Sequence, residues 1–256
     1  MTGLHPHQVG IGHMTEPPNR SLGFEGPYQG YLNQQCVTLA QVLKSTDYHT
    51  LMTGKWHLGH ADKNNWPLQR GFDRFYGGIS GAFNYFKPGG DRGITEGNAP
   101  VSTTEDWYAT DAFTDKGIEY IKEAKAADDN PFFLYLAFNA PHWPLNAKWE
   151  DYLKYRGKYT AGWQAISDER FEKQKRIGLF DETVKPAPLQ APKWDGLSDA
   201  ERDRLDAVQA AYAGCIDNID QNIGKLVAYL KHSGELDNTL ILFLSDNGAC
   251  QEGGIL

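Results

Sequence analysis

The chain has 256 residues, a formal net charge of −8, 40% hydrophobic residues and 23% charged residues. These values are ordinary for a globular protein, and no apolar run approaches the ~20 residues that a membrane helix needs. An acidic chain without a basic stripe is also a poor candidate for binding nucleic acid. The three cysteines, Cys36, Cys215 and Cys250, are too few and too far apart for a disulfide framework.

The first part of the chain predicts a helix and a strand, followed by a long irregular region. Thr38 is placed to cap a short helix, and Tyr48–Met52 is a candidate strand that ends at Gly54. Residues 58–105 mix Gly, Asn and aromatic residues, most densely at Gly71–Gly78. We therefore expect residues 58–105 to form a loop-rich insertion.

The second part predicts longer elements around another insertion. A helix is predicted from about Asp106 to Ala126, and the apolar run Pro131–Phe138 is typical of a strand buried on both faces of a parallel sheet. Residues 145–197 are polar and irregular, as in an insertion or a lid.

The clearest helix pattern begins at Ser198, which forms a capping-box pattern with Glu201. Apolar residues then recur every three or four positions as far as Leu230, and Gly234 ends the helix. Thr239–Leu244 is predicted to be a third buried strand. Alternation of helices with apolar strands predicts an α/β fold with a mostly parallel sheet.

Polar side chains follow each of the three predicted strands. They are Lys55, His57 and His60 after the first strand, His142 after the second, and Asp246 with Asn247 after the third. Ligands bind beyond the carboxyl ends of strands in open α/β sheets. If the three strands are parallel neighbours, these side chains share one pocket.

The chemistry of this set is coherent. Asp246 and Asn247 offer oxygen ligands of the kind that Ca²⁺ or Mg²⁺ takes, and Lys55 offers a cation for an anionic group. His57 and His142 can move protons near neutral pH. Together they predict a site that cleaves sulfate or phosphate monoesters.

Each feature also has an ordinary structural explanation. A loop lysine is usually solvated, Asp-Asn-Gly is usually a turn, and His142 alone could simply be packed in a rigid loop. We interpret the histidines outside the three tips as structural or surface residues: His5, His7, His13, His49 and His232. Asp217 and Asp220 are expected to face solvent or pair locally, and the cysteines to be small buried hydrophobes rather than nucleophiles.

Four segments, in chain order, resemble the sulfatases of the arylsulfatase type, within the alkaline-phosphatase-like superfamily. Thr53–Gly59 is similar to the second signature of that family, and Arg70–Gly77 to the segment that follows it. Ala140–Pro144 is similar to the catalytic-histidine loop, and Leu244–Gly248 to the late metal-binding strand end. The resemblance implies an α/β three-layer sandwich with a mostly parallel central sheet, incomplete at both ends. It assigns residues 1–256 to part of the N-terminal catalytic domain.

The resemblance also implies a role for each candidate residue. Lys55 would bind the sulfate and the oxygen of the nucleophile, and His57 would assist the nucleophile. His142 would support the leaving group, and Asp246 and Asn247 would ligate one Ca²⁺ ion, with Mg²⁺ as the alternative. The substrate would be a small-molecule or glycan sulfate ester, and the location periplasmic or secreted.

The chain departs from the family pattern at the nucleophile. Family members carry a Cys-x-Pro/Ala-Ser/Thr-Arg signature whose cysteine is oxidised to formylglycine, and none of the three cysteines stands in such a context. Met1–Gly3 resembles the end of the segment that follows this signature, so the expectation is an internal piece of a sulfatase that is inactive alone. Two alternatives stay open: a phosphoesterase of the same superfamily, and a non-catalytic protein that binds sulfated ligands.

Overall fold

A computed structural model describes residues 1–15, 26–189 and 191–248. Its centre is a five-stranded sheet in the order β4-β3-β2-β1-β5. The strands are β1 His49–Lys55, β2 Arg74–Gly78, β3 Ile94–Glu96, β4 Ala99–Val101 and β5 Phe132–Ala137. β1 pairs in parallel with β2 and β5, whereas β3 pairs antiparallel with β2 and β4. The carboxyl ends of β2, β1 and β5 therefore lie at one edge.

Helices accompany this sheet, which confirms the predicted α/β class. They are α1 Leu39–Lys44, α2 Ala109–Ala127, α3 Trp149–Leu153, α4 Gly162–Arg176 and α5 Asp199–His232. Both predicted caps are present. Thr38 and Gln41 exchange side-chain-to-backbone hydrogen bonds at α1, and Ser198 and Glu201 do so at α5. None of the described helices is long and apolar enough to cross a membrane.

The central strands of the sheet are buried on both faces. β5, which was predicted to be buried on both faces, is instead an edge strand of the described sheet and only half-buried at every residue. Met52 of β1 and Phe75 of β2 are in register and pack in one core with Ala40 of α1. On the other face, Gly117 of α2 lies so close that an added Cβ would meet Leu134 at 3.2 Å. Successive side chains of a strand point to opposite faces of the sheet, so they pack against helices on opposite faces.

The chain divides into two compact units. The first contains residues 1–144 and 219–246, and with them the whole sheet. The second contains residues 145–218 and, of the described residues at the end of the chain, Asn247 and Gly248. Within the second unit, the buried Asp206 accepts hydrogen bonds from the backbone N–H groups of Gly157 and Tyr159, both at 2.8 Å, and pairs with Arg156.

The structure corrects both predicted irregular regions. Residues 58–105 contain β2, β3 and β4, and residues 145–197 contain α3 and α4. The glycines that made Arg74–Gly78 look like a loop have a steric reason to be there. A Cβ at Gly77 would lie 1.8 Å from the carbonyl oxygen of Gly54 on β1.

The prediction of a third buried strand at Thr239–Leu244 is wrong. None of the described strands pairs with this stretch. Four of its side chains are largely exposed: Leu240 (83%), Leu242 (76%), Phe243 (76%) and Leu244 (72%). Hydrophobicity alone predicts burial, but a strand also needs a neighbouring backbone for its N–H and C=O groups.

Candidate active site

The site begins where β1 passes between its two neighbours without a side chain. Gly54 has φ 110°, and a Cβ there would lie 1.9 Å from the carbonyl oxygen of Ala137 on β5. Because only glycine fits such a close approach, the three strands converge tightly at this edge. Lys55 is the next residue and ends β1 opposite Gly78.

After β1 ends, the next two residues still form backbone hydrogen bonds with the end of β2 and the residue that follows it. The N–H of Trp56 donates to the carbonyl of Gly78 at 2.9 Å, and that of His57 donates to Ile79 at 3.1 Å. His57 has φ 52°, in the left-handed region that non-glycine residues rarely adopt. The two hydrogen bonds hold His57 in this costly conformation.

The His57 loop, residues 56–60, is also fixed from its other side. The indole N–H of Trp56 donates to the carbonyl of Asn65 at 2.9 Å. The indole N–H of Trp66 donates to the carbonyl of His60 at 2.9 Å. A backbone hydrogen bond of 3.1 Å joins the N–H of Leu32 to the carbonyl of Leu58. These hydrogen bonds therefore fix the backbone of the loop.

The pKa of His57 is lowered from 6.5 to about 4. Burial is the main cause, because it disfavours the charged ring. The charges of nearby groups act in the same direction: Lys55, His60, His142 and Arg92. His57 is therefore neutral at physiological pH, so one of its ring nitrogens carries no proton. The same interactions show that the predicted residues of the first two strand tips come together.

His142 lies in the loop that follows β5. The hydroxyl of Tyr85 donates to the carbonyl of His142 at 2.5 Å, which fixes the loop backbone. The Nδ1 atom of His142 lies 2.7 Å from the carbonyl oxygen of Trp143. A carbonyl only accepts, so Nδ1 carries a proton and Nε2 is the atom that exchanges one.

Asp246 and Asn247 are not among the groups that act on His57. The negative charge of Asp246 contributes, after burial, to raising the pKa of Tyr135 on β5. The side-chain amide of Asn247 donates to the carbonyl of Gly248 at 2.6 Å. In the described ranges, no three His, Cys, Asp or Glu side chains form a group that could hold a metal ion. These two residues offer only part of the six to eight oxygen ligands of Ca²⁺, so their metal role stays a prediction.

Two residues of this region could not be found from the sequence. Arg92 ends a short 3₁₀ turn, and its guanidinium donates to the carbonyl of Ala82 at 2.6 Å. Tyr85 is fully buried beneath the His142 loop. Both lie in the region predicted to be loops. In the structure, Phe83 and Tyr85 are both buried, at 4% and 0% exposure.

The residues expected to be structural behave mostly as predicted. Cys36 and Cys215 are buried, whereas Cys250 lies outside the described residues. His49 pairs with Asp128 at 2.8 Å, at the opposite end of β1 from Lys55. Asp220 is exposed, as expected. Asp217 departs from the expectation, because it is partly buried and pairs at 2.5 Å with Lys154, which is 63 residues away in the sequence.

Comparisons with known proteins identify the family of the chain. A family model described as Sulfatase matches residues 1–254. An uncharacterized sulfatase of Schizosaccharomyces pombe is 35% identical over 100% of this chain and 49% of its own length. An arylsulfatase of Klebsiella aerogenes is 32% identical over 97% of this chain and 54% of its own. The chain therefore spans about half the length of these relatives.

A solved structure gives the same result for the fold. Ps i-CgsB, determined in complex with k-i-k-neocarrahexaose, superposes with a TM-score of 0.57 and 26% identity. The superposition covers 93% of this chain and 44% of that protein. The sheet and its helices are thus those of the alkaline-phosphatase-like fold, and the chain belongs to the sulfatase family.

Proposed function

We propose that the protein hydrolyses sulfate monoesters, releasing an alcohol or phenol and inorganic sulfate. One observation carries this proposal: Lys55, His57 and His142 come together at the carboxyl edge of β1 and β5, where Lys55 and Arg92 place positive charge near a neutral histidine. A positive site with a proton acceptor suits an anionic ester. Membership of the sulfatase family supports the same reaction.

Each side chain has a role in this proposal. Lys55 binds the sulfate group through its ammonium charge. His57 assists the nucleophile and helps to release sulfate from the covalent intermediate, since its neutral ring has a nitrogen that can take up the proton. His142 holds a proton on Nε2 near the bridging oxygen and gives it to the leaving group, while Nδ1 stays bonded to the carbonyl of Trp143.

The nucleophile and the metal are further parts of the proposal. A formylglycine would supply the attacking hydroxyl, and none of the three cysteines stands in the modification signature. We therefore expect no turnover by these 256 residues alone. Asp246 and Asn247 would contribute to a Ca²⁺ site, or a Mg²⁺ site, that balances the charge of the sulfate.

The proposed substrate class is an aryl or glycan sulfate. The similarity to an arylsulfatase supports the first, and the similarity to Ps i-CgsB, solved in complex with k-i-k-neocarrahexaose, supports the second. We also propose a periplasmic or secreted location, which fractionation of the source cells would test.

The decisive experiment compares matched aryl sulfate and aryl phosphate esters as substrates of the protein as its source makes it. We expect faster turnover of the sulfate, loss of activity on chelation, and the mass deficit of a cysteine converted to an aldehyde. Faster turnover of the phosphate would identify a phosphoesterase instead. Binding of sulfated ligands without turnover would identify a non-catalytic binding protein.

A further inference from the structure

Arg70 is an arginine in an unusual place. Its side chain is 1% exposed, although arginine is rarely buried unless it is paired. Its Nη1 donates to the carbonyls of Leu32 (3.0 Å) and Asn33 (3.1 Å). Its Nη2 donates to the carbonyl of Cys36 at 3.1 Å and lies 3.3 Å from Cys36 Sγ. The buried guanidinium thus binds the backbone of one short segment.

That segment, residues 32–36, is in direct contact with the His57 loop. The same Leu32 whose carbonyl binds Arg70 donates its N–H to the carbonyl of Leu58, the neighbour of His57. The side chains of Leu32 and Cys36 also pack in one core with Trp56, which precedes His57. A continuous series of contacts therefore joins the guanidinium to His57.

The planar guanidinium suits this task better than another cation would. Its two terminal nitrogens bind opposite ends of residues 32–36 at once, which the single ammonium of a lysine cannot do. A costly conformation such as that of His57 persists only where its surroundings determine it. Arg70 lies outside the loop, and it helps to hold His57 in this conformation by fixing residues 32–36.

We propose that Arg70 is a positioning residue, which fixes residues 32–36 against Leu58 and thereby holds His57 in its buried place beside Lys55. Arg70 does not touch the substrate. The inference rests on the proposed catalytic role of His57. It gives a structural task to Arg70, the first residue of the segment Arg70–Gly77.

The test is Arg70→Lys in the protein as its source makes it, with two readouts. NMR titration of the His57 ring should show its pKa rising from about 4 by about one unit, because a looser loop admits water. The kcat for an aryl sulfate should fall by about tenfold or more with little change in KM. A role in stability alone would move neither value in the folded variant.

The matched control is Arg74→Lys. Arg74 pairs with Glu123 at 2.6 Å and lies over the ring of Tyr120, away from residues 32–36. This change should leave both readouts as they are. A folded Arg70→Lys variant with unchanged His57 pKa and unchanged kcat would overturn the proposal.

A second variant covers the case in which Arg70→Lys does not fold. The side chain of Asn33 accepts hydrogen bonds from the N–H groups of Gln35 and Cys36, both at 3.1 Å. Asn33→Ala loosens the same segment and leaves Arg70 in place, so the pKa of His57 should again rise. No rise would refute the proposal. The NMR readout needs no turnover, so it is separate from the test of the proposed function.

Discussion

Two regions carry the predicted chemistry, and they differ in how the backbone supports them. The basic edge, formed by Lys55, His57 and His142, stands on paired parallel strands and on a loop bonded from both sides. The acidic tip, Asp246 with Asn247, follows a stretch that none of the described strands pairs with. Both regions looked equally convincing as sequence motifs. The difference teaches that a motif predicts which side chains can act, whereas strand pairing decides whether the backbone fixes their positions.

The largest effect is expected where the strands of the basic edge converge. Gly54→Ala would drive a methyl group into the carbonyl of Ala137 on a backbone with φ 110°. We expect a loss of about 4 kcal/mol or more in the free energy of unfolding, measured by urea denaturation. The matched control is Gly224→Ala in α5, where nothing lies within 4 Å of the added carbon. Alanine should be neutral or stabilising there by up to ~1 kcal/mol, so similar losses in both variants would contradict this account.

The second effect concerns the charge of the basic edge. Lys55→Met should lower kcat/KM for an aryl sulfate by about 10²–10³-fold, because the anionic group loses its cation. Lys63→Met is the control. Lys63 lies over the ring of Trp66 and is not among the groups that lower the pKa of His57. Equal losses in the two variants would show that general positive charge, rather than the edge, matters.

The third effect is a pH dependence of stability. The pKa of His57 is about 4 in the folded protein, against the ordinary value of 6.5 that an unfolded chain would show. The unfolded chain therefore binds the proton first, and the contribution of His57 is complete above pH 6.5 and is lost as the pH falls to about 4. Each pH unit between the two pKa values costs at most roughly 1.4 kcal/mol of stability, and less where water reaches the ring.

Urea denaturation across this pH range would measure the effect. His57→Gln cannot take up the proton, so its stability should fall less between neutral pH and pH 4. The control His232→Gln, at the exposed end of α5, should keep the full dependence. An unchanged dependence in His57→Gln would show that His57 titrates normally.

The smallest effect is expected at the acidic tip. Asp246→Asn removes the charge that helps to raise the pKa of Tyr135, so this pKa should fall slightly and stay above its ordinary value because burial remains. Stability should change by less than about 0.5 kcal/mol, as at other surface positions. Tyrosine NMR and urea denaturation measure the two quantities. Asp237→Asn is the control, and a Tyr135 pKa that does not move in Asp246→Asn would place the acidic tip away from β5.

Much of the fold could be predicted from the sequence because its signals are local. Thr38 and Ser198 mark helix starts by their own side chains, and the apolar run of β5 is visible without any partner. β2 could not be predicted, because Gly77 is required by the carbonyl of Gly54, which lies on another strand.

The site residues, like the fold, could be predicted where their signal is local in the sequence. Lys55, His57 and His142 could be predicted because each closely follows a strand or ends one. The proximity of Arg92 and the burial of Arg70 could not, because arginines are normally solvent-exposed. Arg70 belongs to the family-like segment Arg70–Gly77, but that resemblance assigned it no role. Their roles depend on contacts with residues that are distant in the sequence.

The exposed apolar stretch before Asp246 has a practical consequence for work with the purified chain. Residues 240–244 contain no charge and no proline, and within the described residues they belong to no strand and expose leucine and phenylalanine side chains. Such a stretch can pair with its own copy in another molecule. Stocks should therefore remain clear when dilute and scatter light as they are concentrated, and Leu242→Lys should delay that clouding without changing the dilute protein.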